Sequence, residues 1–316
     1  MRPAMTMVAR LSAAALLGAV LAACGGSRGI APVVVSSKLS SESALIGQMI
    51  RILLEAAGIA TEDRMTLAGT PIMRRALIAG EIDLYVEYTG NAAFFFNEPA
   101  DPAWKDAHAG YELGAKLDYA ANRIIWLTPA NASNTWALAV REDVAKPNGL
   151  ATMSDFGRWV SGGAHVVLAC SAEFANSATF RSLEATYGFT LGPDQLIVLA
   201  GGDTSATIRA AAERTNGTNT AMVYSTDGAV VAADLRVLDD DRHDQPVYAP
   251  VPIIREAVLE AHPRIAAIVA PLMQSFTQAN LQRLNERVQI DGEAPISVAT
   301  DYLEAHRLLP ARGLPR

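Results

Sequence analysis

The chain contains two cysteines and five histidines, the side chains that most often act as nucleophiles, general bases or metal ligands. The histidines are scattered, and no two are spaced to share one face of a helix. Cys170 ends an apolar, strand-like run, which predicts a small buried apolar residue. A catalytic thiol at Cys170 is the alternative, and it would need a base nearby in the fold.

Other patterns associated with catalysis are weak or missing. His243 lies in the acidic segment 239–244, which suggests either a metal loop or, as we favour, a solvent-exposed acidic turn. Gly201-Gly202-Asp203 precedes a predicted helix, where an anion could bind at the helix N-terminus. The sequence has no glycine-rich phosphate loop, serine nucleophile elbow or paired catalytic carboxylates. None of these patterns points to an enzyme class.

The N-terminus has the form of an export signal. Arg2 and Arg10 precede an uncharged apolar stretch that is shorter than the roughly 20 residues of a membrane-spanning helix, so residues 1–23 are predicted to be a signal peptide. The stretch ends in Leu21-Ala22-Ala23-Cys24-Gly25, which resembles the bacterial lipobox. We therefore expect a lipid on Cys24 and a short tether over residues 24–29. An ordinary signal peptide followed by a chance cysteine is the alternative.

Charge and length limit the possible functions. The 26 basic and 33 acidic residues give a net charge of −7, and loss of residues 1–23 would leave 24 basic and 33 acidic residues, or −9. Such an acidic protein is not expected to bind nucleic acid or anionic lipid surfaces. With Cys24 lipidated, only Cys170 would remain, so no intrachain disulfide is expected. The length of the mature chain suggests two domains.

Strand and helix patterns alternate along the chain. Residues 32–35 predict a buried strand, and a helical apolar stripe from Leu45 to Ala57 follows the N-cap candidates Ser40 and Ser41. Residues 81–88 alternate with the period of a strand. Further predicted elements are helices at 71–79, 204–214, 265–276 and 296–306, and strands at 137–140, 165–169 and 221–224. This alternation predicts α/β layers with helices on both faces of each sheet.

Several segments, in order along the mature chain, resemble the substrate-binding proteins of ABC importers for glycine betaine, choline and similar quaternary amines. The segments include Gly80-Glu81-Ile82-Asp83-Leu84-Tyr85-Val86-Glu87-Tyr88-Thr89-Gly90, Asn134-Thr135-Trp136, Gly201-Gly202-Asp203-Thr204 and Tyr224-Ser225-Thr226-Asp227-Gly228. The resemblance implies a type II periplasmic-binding-protein fold, in which two α/β lobes close on a ligand in the cleft between them. It places lobe 1 at residues 30–133 plus 248–316 and lobe 2 at residues 134–247.

The resemblance also implies an aromatic cage. A quaternary ammonium group has no N–H to donate, and its methyl groups keep a carboxylate at a distance, so aromatic faces suit it better. Residue by residue, the family's cage falls on Tyr88, Trp136, Tyr224 and Tyr248, with Trp136 at a position where relatives more often have tyrosine. The alternative is that these four are ordinary half-buried aromatic residues of strands.

At the polar end of the ligand, this chain departs from the family. Many relatives have an arginine at the position of Ser177, so a bidentate clamp on a carboxylate is missing from its usual place. Lys38 and Asn91 match positions that contact the ligand's polar end, and they suit a carboxylate or a hydroxyl equally; the alternative for both is a solvated loop residue. Asn134 is expected to orient the cleft or to give a backbone contact. The departure shifts the expected ligand modestly from glycine betaine toward choline or another amine.

The resemblance implies a monomeric, non-enzymatic binding protein on the outer face of the cytoplasmic membrane, with no cofactor or metal. Its partners would be a small quaternary amine, an ABC permease and a separate ATPase subunit, and its contact with the membrane would be the lipid on Cys24. A ligand-sensing accessory protein that uses the same cleft, a binder of a different amine and an exported choline-ester hydrolase are the alternatives.

Overall fold

The computed structural model describes residues 31–199 and 204–309. The predicted signal peptide over residues 1–23, the lipidation site at Cys24, the tether over 24–29 and the segment Gly201-Gly202-Asp203 lie outside the described residues.

The strands of the described residues are β1 (Val33–Lys38), β2 (Thr61–Ala68), β3 (Leu84–Tyr88), β4 (Ile124–Trp126), β5 (Trp136–Arg141), β6 (Leu168–Ser171), β7 (Leu196–Leu199), β8 (Thr220–Tyr224), β9 (Leu235–Val237) and β10 (Pro250–Arg255). The helices are α1 (Ser41–Ala56), α2 (Thr70–Ala79), α3 (Ala92–Phe95), α4 (Ala107–Asn122), α5 (Glu142–Ala145), α6 (Met153–Ser161), α7 (Ala172–Ala175), α8 (Ala178–Tyr187), α9 (Thr204–Ala212), α10 (Ala229–Ala232), α11 (Glu256–Ala261), α12 (Ile265–Ser275), α13 (Gln278–Gln289) and α14 (Pro295–Ala305). Short 3₁₀ helices cover Thr89–Asn91, Pro102–Lys105, Pro193–Gln195 and Thr215–Gly217.

The strands form two five-stranded sheets with the same pattern of parallel and antiparallel pairing. The first sheet has the order β2-β1-β3-β10-β4, and the second has the order β7-β6-β8-β5-β9. In the first, β1 pairs in parallel with β2 and β3, while β10 is antiparallel to β3 and β4. In the second, β6 pairs in parallel with β7 and β8, while β5 is antiparallel to β8 and β9.

The chain passes between the sheets twice. It leaves the first sheet after β4, builds the second sheet from β5 to β9, and returns to the first sheet as β10. The two connecting segments lie side by side, because the backbone N–H of Asn134 donates to the carbonyl of Tyr248 at 2.9 Å. Residues 134 and 248, where we propose the lobe boundaries, fall in these segments.

Each sheet has an apolar core on both faces, so each lobe has three layers. In the first lobe, Ile46 of α1 and Val269 of α12 belong to the core on one face, and Leu77 of α2 belongs to the core on the other. In the second lobe, Phe156 of α6 and Ile208 of α9 belong to the two corresponding cores. The predicted fold class, two α/β lobes of the periplasmic-binding-protein type, is therefore confirmed.

Helix caps account for several boundaries that the sequence predicts. The Ser40 side chain accepts a hydrogen bond from the backbone N–H of Ser43 and so caps α1, which identifies Ser40 rather than Ser41 as the N-cap. Gly80 ends α2 in the left-handed conformation, with φ of 76°, as expected of a glycine at that position.

Other boundaries differ from the prediction. The strand expected over 81–88 begins at Leu84 and is buried on both faces, so its alternation does not mark a solvent-exposed side. The strand expected over 165–169 is Leu168–Ser171. The sequence patterns did not predict β2, an edge strand of mostly polar, exposed residues, because its apolar residues do not alternate.

Candidate functional site

A cavity of about 550 Å³ is lined by residues from both lobes and from the two segments that connect them. This volume lies within the range of small-molecule sites, about 300–1,000 Å³. All seven residues that the sequence predicts as ligand contacts line this cavity: Lys38, Tyr88, Asn91, Asn134, Trp136, Tyr224 and Tyr248. The structure thus brings the predicted set together, although its residues are up to 210 positions apart in the sequence.

Strand ends position most of the aromatic lining. Tyr88 is the last residue of β3, Trp136 is the first residue of β5, and Tyr224 is the last residue of β8. Trp136 and Tyr224 are directly opposite each other in the antiparallel β5–β8 pair, so the ladder holds the two side chains as neighbours. The Trp136 ring also packs edge-to-face on Phe174, with 5.5 Å between ring centroids and an interplanar angle of 89°.

Tyr248 is held by the second connecting segment. Its backbone N–H donates to Ser133 Oγ at 3.0 Å, and one face of its ring lies on Gly90. Burial, followed by the nearby Tyr224, raises the pKa of Tyr248 to about 12, and burial also raises the pKa of Tyr224. Both rings are therefore neutral phenols at physiological pH.

Tyr88 makes contacts within the protein that the sequence did not predict. Its hydroxyl donates to Glu42 Oε1 at 2.8 Å, and the ammonium nitrogen of Lys38 lies 4.9 Å from the centroid of its ring. Burial, followed by the nearby Glu42, raises the pKa of Tyr88 well above its usual value. One face of this ring therefore already has a cation beside it, and Tyr88 offers a ligand less free surface than an unpartnered tyrosine would.

Glu42 is a cavity residue that the sequence patterns did not identify. It lies in the first turn of α1 and is 3% exposed, and its carboxylate accepts from Tyr88, from Asn134 Nδ2 at 3.1 Å and from Asn285 Nδ2 at 2.7 Å. Asn285 Nδ2 also donates to the carbonyl of Thr226 at 2.8 Å. A single buried carboxylate thus joins α1, β3, α13 and a connecting segment. The available signal was an acidic residue at a helix N-terminus, which is common in any helix.

Lys38 and Asn91 both bind Glu87, so neither is a solvated loop residue. The ammonium of Lys38 forms an ion pair with Glu87 Oε1, and Asn91 Nδ2 donates to the same oxygen at 2.7 Å. Lys38 is 7% exposed and Glu87 is fully buried. Burial lowers the pKa of Lys38, while the neighbouring Glu87 opposes that shift.

Ser177 does not line the cavity. It is the N-cap of α8, where its side chain accepts from the backbone N–H of Phe180 at 3.0 Å. Glu173 and Thr179, on either side of it in the sequence, do line the cavity. An acidic residue and a neutral one thus flank Ser177.

Cys170 and the acidic segment 239–244, which the sequence suggests as candidates for chemistry, both have structural roles. Burial raises the pKa of Cys170 to about 11, so its thiol is protonated at neutral pH, as expected of a buried apolar residue. Asp240 accepts from the backbone N–H groups of Asp244 and Gln245, so the acidic segment folds as a turn. Within residues 31–199 and 204–309, no cluster of three or more His, Cys, Asp or Glu residues is arranged to hold a metal ion. No helix in the same two ranges has both the length and the apolar character needed to cross a bilayer.

Known proteins resemble this chain along nearly all of its described length. The family model for the substrate binding domain of ABC-type glycine betaine transport systems matches residues 31–305. The glycine betaine-binding protein YehZ of Escherichia coli (strain K12) is 47% identical over 274 residues, which cover 86% of this chain and 90% of that protein. The glycine-betaine-binding protein of Pseudomonas aeruginosa is 30% identical over 249 residues, or 76% of this chain and 77% of that protein.

Two solved structures also resemble this chain. The apo structure of YehZ from Escherichia coli has a TM-score of 0.82 at 46% identity and covers 88% of this chain and all of that one. A glycine betaine/carnitine/choline ABC transporter structure has a TM-score of 0.77 at 25% identity, with the same coverage. Members of this family are non-enzymatic, extracytoplasmic proteins that bind a small ligand and work with a permease. The chain therefore belongs to the family of substrate-binding proteins of ABC-type glycine betaine transport systems.

Proposed function

We propose that this protein captures a quaternary ammonium compound, such as choline or glycine betaine, in the cavity between its lobes and delivers it to an ABC permease. The observation that carries the proposal is that Tyr88, Trp136, Tyr224 and Tyr248 all line one cavity. A ligand bound there would contact both lobes and so favour their closure.

The lining of the cavity suits a diffuse cation. A contact between a cation and an aromatic face contributes about 0.5–2 kcal/mol, with the higher values where both groups are desolvated. Three or four such contacts supply a good part of the roughly 8 kcal/mol that a micromolar ligand requires. Glu42, Glu173 and Asp227 also line the cavity and add negative potential that favours a cation over an anion or a neutral ligand.

The names of the relatives support the ligand class. Two curated relatives are glycine betaine-binding proteins, and a solved neighbour is described as a glycine betaine/carnitine/choline transporter. Choline and glycine betaine share the trimethylammonium group that an aromatic cage recognises. We further propose that the protein acts as a monomer, anchored to the membrane by a lipid on Cys24.

Isothermal titration of the purified protein with choline, glycine betaine, carnitine and ergothioneine tests the proposal. We expect micromolar binding of at least one, weakened tenfold or more by Tyr224→Ala because that change removes an aromatic wall. Tyr119→Ala, which alters an exposed tyrosine on α4 outside the cavity, is the matched control and should leave the affinity unchanged. No binding of any of the four, or equal losses from the two variants, would count against an aromatic cage.

A further inference from the structure

Lys38 is the one cationic side chain among the described residues that line the cavity, where the acidic residues are Glu42, Glu173 and Asp227. Residues 200–203, which are not described, contain no lysine or arginine in the sequence. A ligand carboxylate in this cavity therefore has one ammonium group to attract it. How strongly it does so depends on what else Lys38 contacts.

The buried residue Glu87 forms an ion pair with Lys38. It is fully buried and is not itself among the lining residues. Its Oε1 accepts from the Lys38 ammonium, from Asn91 Nδ2 at 2.7 Å and from the backbone N–H of Tyr88 at 2.8 Å, and its Oε2 accepts from the Tyr85 hydroxyl at 2.8 Å. Four donors therefore surround this carboxylate, which satisfies the requirement that a buried charge be paired and hydrogen-bonded.

The ion pair changes what Lys38 presents to a ligand. A carboxylate in direct contact with an ammonium cancels most of its field, and in a buried site little water is present to screen either charge. Lys38 also lies over the ring of Tyr88, so its charge is beside the proposed cage. An unpaired ammonium there would attract a ligand carboxylate and repel a ligand's quaternary ammonium group.

We infer that Glu87 is a positioning residue that sets ligand specificity: by pairing with Lys38 it weakens the preference for a carboxylate-bearing ligand over one with a neutral polar end. This inference rests on the proposed function of the cavity. It assigns to Glu87, which does not line the cavity, the discrimination between compounds such as glycine betaine and choline. These two ligands share a trimethylammonium group and differ in having a carboxylate or a hydroxyl.

Titration of the full-length protein with choline and with glycine betaine, before and after Glu87→Gln, tests the inference. Glutamine has the size of glutamate without its charge, so we expect the ratio of the glycine betaine Kd to the choline Kd to fall at least tenfold. The double variant Lys38→Met/Glu87→Gln, which removes both charges, should return the ratio to within about threefold of the wild-type value. Glu62→Gln, which alters an exposed residue of β2, should leave the ratio unchanged.

Thermal unfolding checks that each variant is folded. If Glu87→Gln does not fold, Glu87→Asp keeps the charge but withdraws it from Lys38 by one methylene, and we expect a shift in the same direction of about threefold. A folded Glu87→Gln protein that binds both ligands at the wild-type ratio would overturn the role of Glu87 and leave the proposed function intact. A wild-type protein that binds neither ligand would instead overturn the proposed function.

Discussion

The ring of Tyr248 lies directly against the α-carbon of Gly90. A Cβ atom at Gly90 would meet three atoms of that ring at 2.8–2.9 Å, closer than side chains pack in proteins. Gly90 lies in the 3₁₀ helix after β3, whereas Tyr248 lies in the segment that returns the chain to the first sheet. Glycine is needed here for space rather than for an unusual backbone angle, since its φ is not in the left-handed region.

Gly90→Ala should therefore weaken ligand binding by displacing the Tyr248 ring. We expect a loss of affinity of about tenfold, which corresponds to one cation–π contact of about 1.4 kcal/mol. Isothermal titration with choline measures this loss. Gly69→Ala is the matched control, because a Cβ there meets no atom within 4 Å, and its affinity should equal that of the wild type. An unchanged affinity in Gly90→Ala would mean that the position of Tyr248 does not matter for binding.

Tyr88→Phe should lower the free energy of unfolding by about 1.5–3 kcal/mol, since Glu42 loses a donor while remaining buried. Urea denaturation measures the change. Tyr119→Phe removes a hydroxyl that also donates to a glutamate, Glu256, but at an exposed site, and should cost less than about 0.5 kcal/mol. Equal costs for the two variants would argue that the buried carboxylate has found another donor.

High pH should destabilise the protein through its buried tyrosines. Between the ordinary tyrosine pKa of 10.0 and the pKa of about 12 for Tyr248, the unfolded chain has lost a phenolic proton that the native state keeps. The free energy of unfolding therefore falls as pH rises through this window, by up to about 1.4 kcal/mol per pH unit for each such proton. Lys38, whose pKa is lowered by burial, has the opposite effect, but only at pH values up to its ordinary value of 10.5.

Urea denaturation at several pH values between 9.5 and about 11.5 measures this slope. Tyr248→Phe removes one of the contributing protons, so its unfolding free energy should decline less steeply than that of the wild type. Parallel slopes for the two proteins would show that Tyr248 ionises as readily in the native state as in the unfolded chain.

Local sequence patterns predicted much of the fold, as α1 illustrates. Its apolar stripe, its serine N-cap and the glycine after it appear at the expected spacings, and the helix forms where they indicate. In contrast, α13 was not predicted, because its sequence is largely polar. Much of that polarity serves tertiary contacts: Gln282 donates to the carbonyl of Ser225, and Asn285 donates to Glu42 and Thr226. Periodicity in one segment carries no information about such partners.

The candidate site was also only partly predicted from the sequence. The family resemblance predicted Tyr88, Trp136, Tyr224 and Tyr248 as ligand contacts, and these four residues line one cavity. Glu42 was not among the predicted residues, because a glutamate in the first turn of a helix is common and does not by itself indicate a binding site. Its importance depends on three donors that come from sequence positions 46, 92 and 243 residues away. Only the folded chain brings these groups together.

The most direct test of the account compares choline with its uncharged carbon isostere, 3,3-dimethylbutan-1-ol, by isothermal titration of the wild-type protein. The two compounds have nearly the same shape and the same hydroxyl, and they differ in the positive charge that an aromatic cage recognises. We expect choline to bind at least tenfold more tightly than the isostere. Equal affinities, or tighter binding of the isostere, would contradict a cage that works by cation–π attraction.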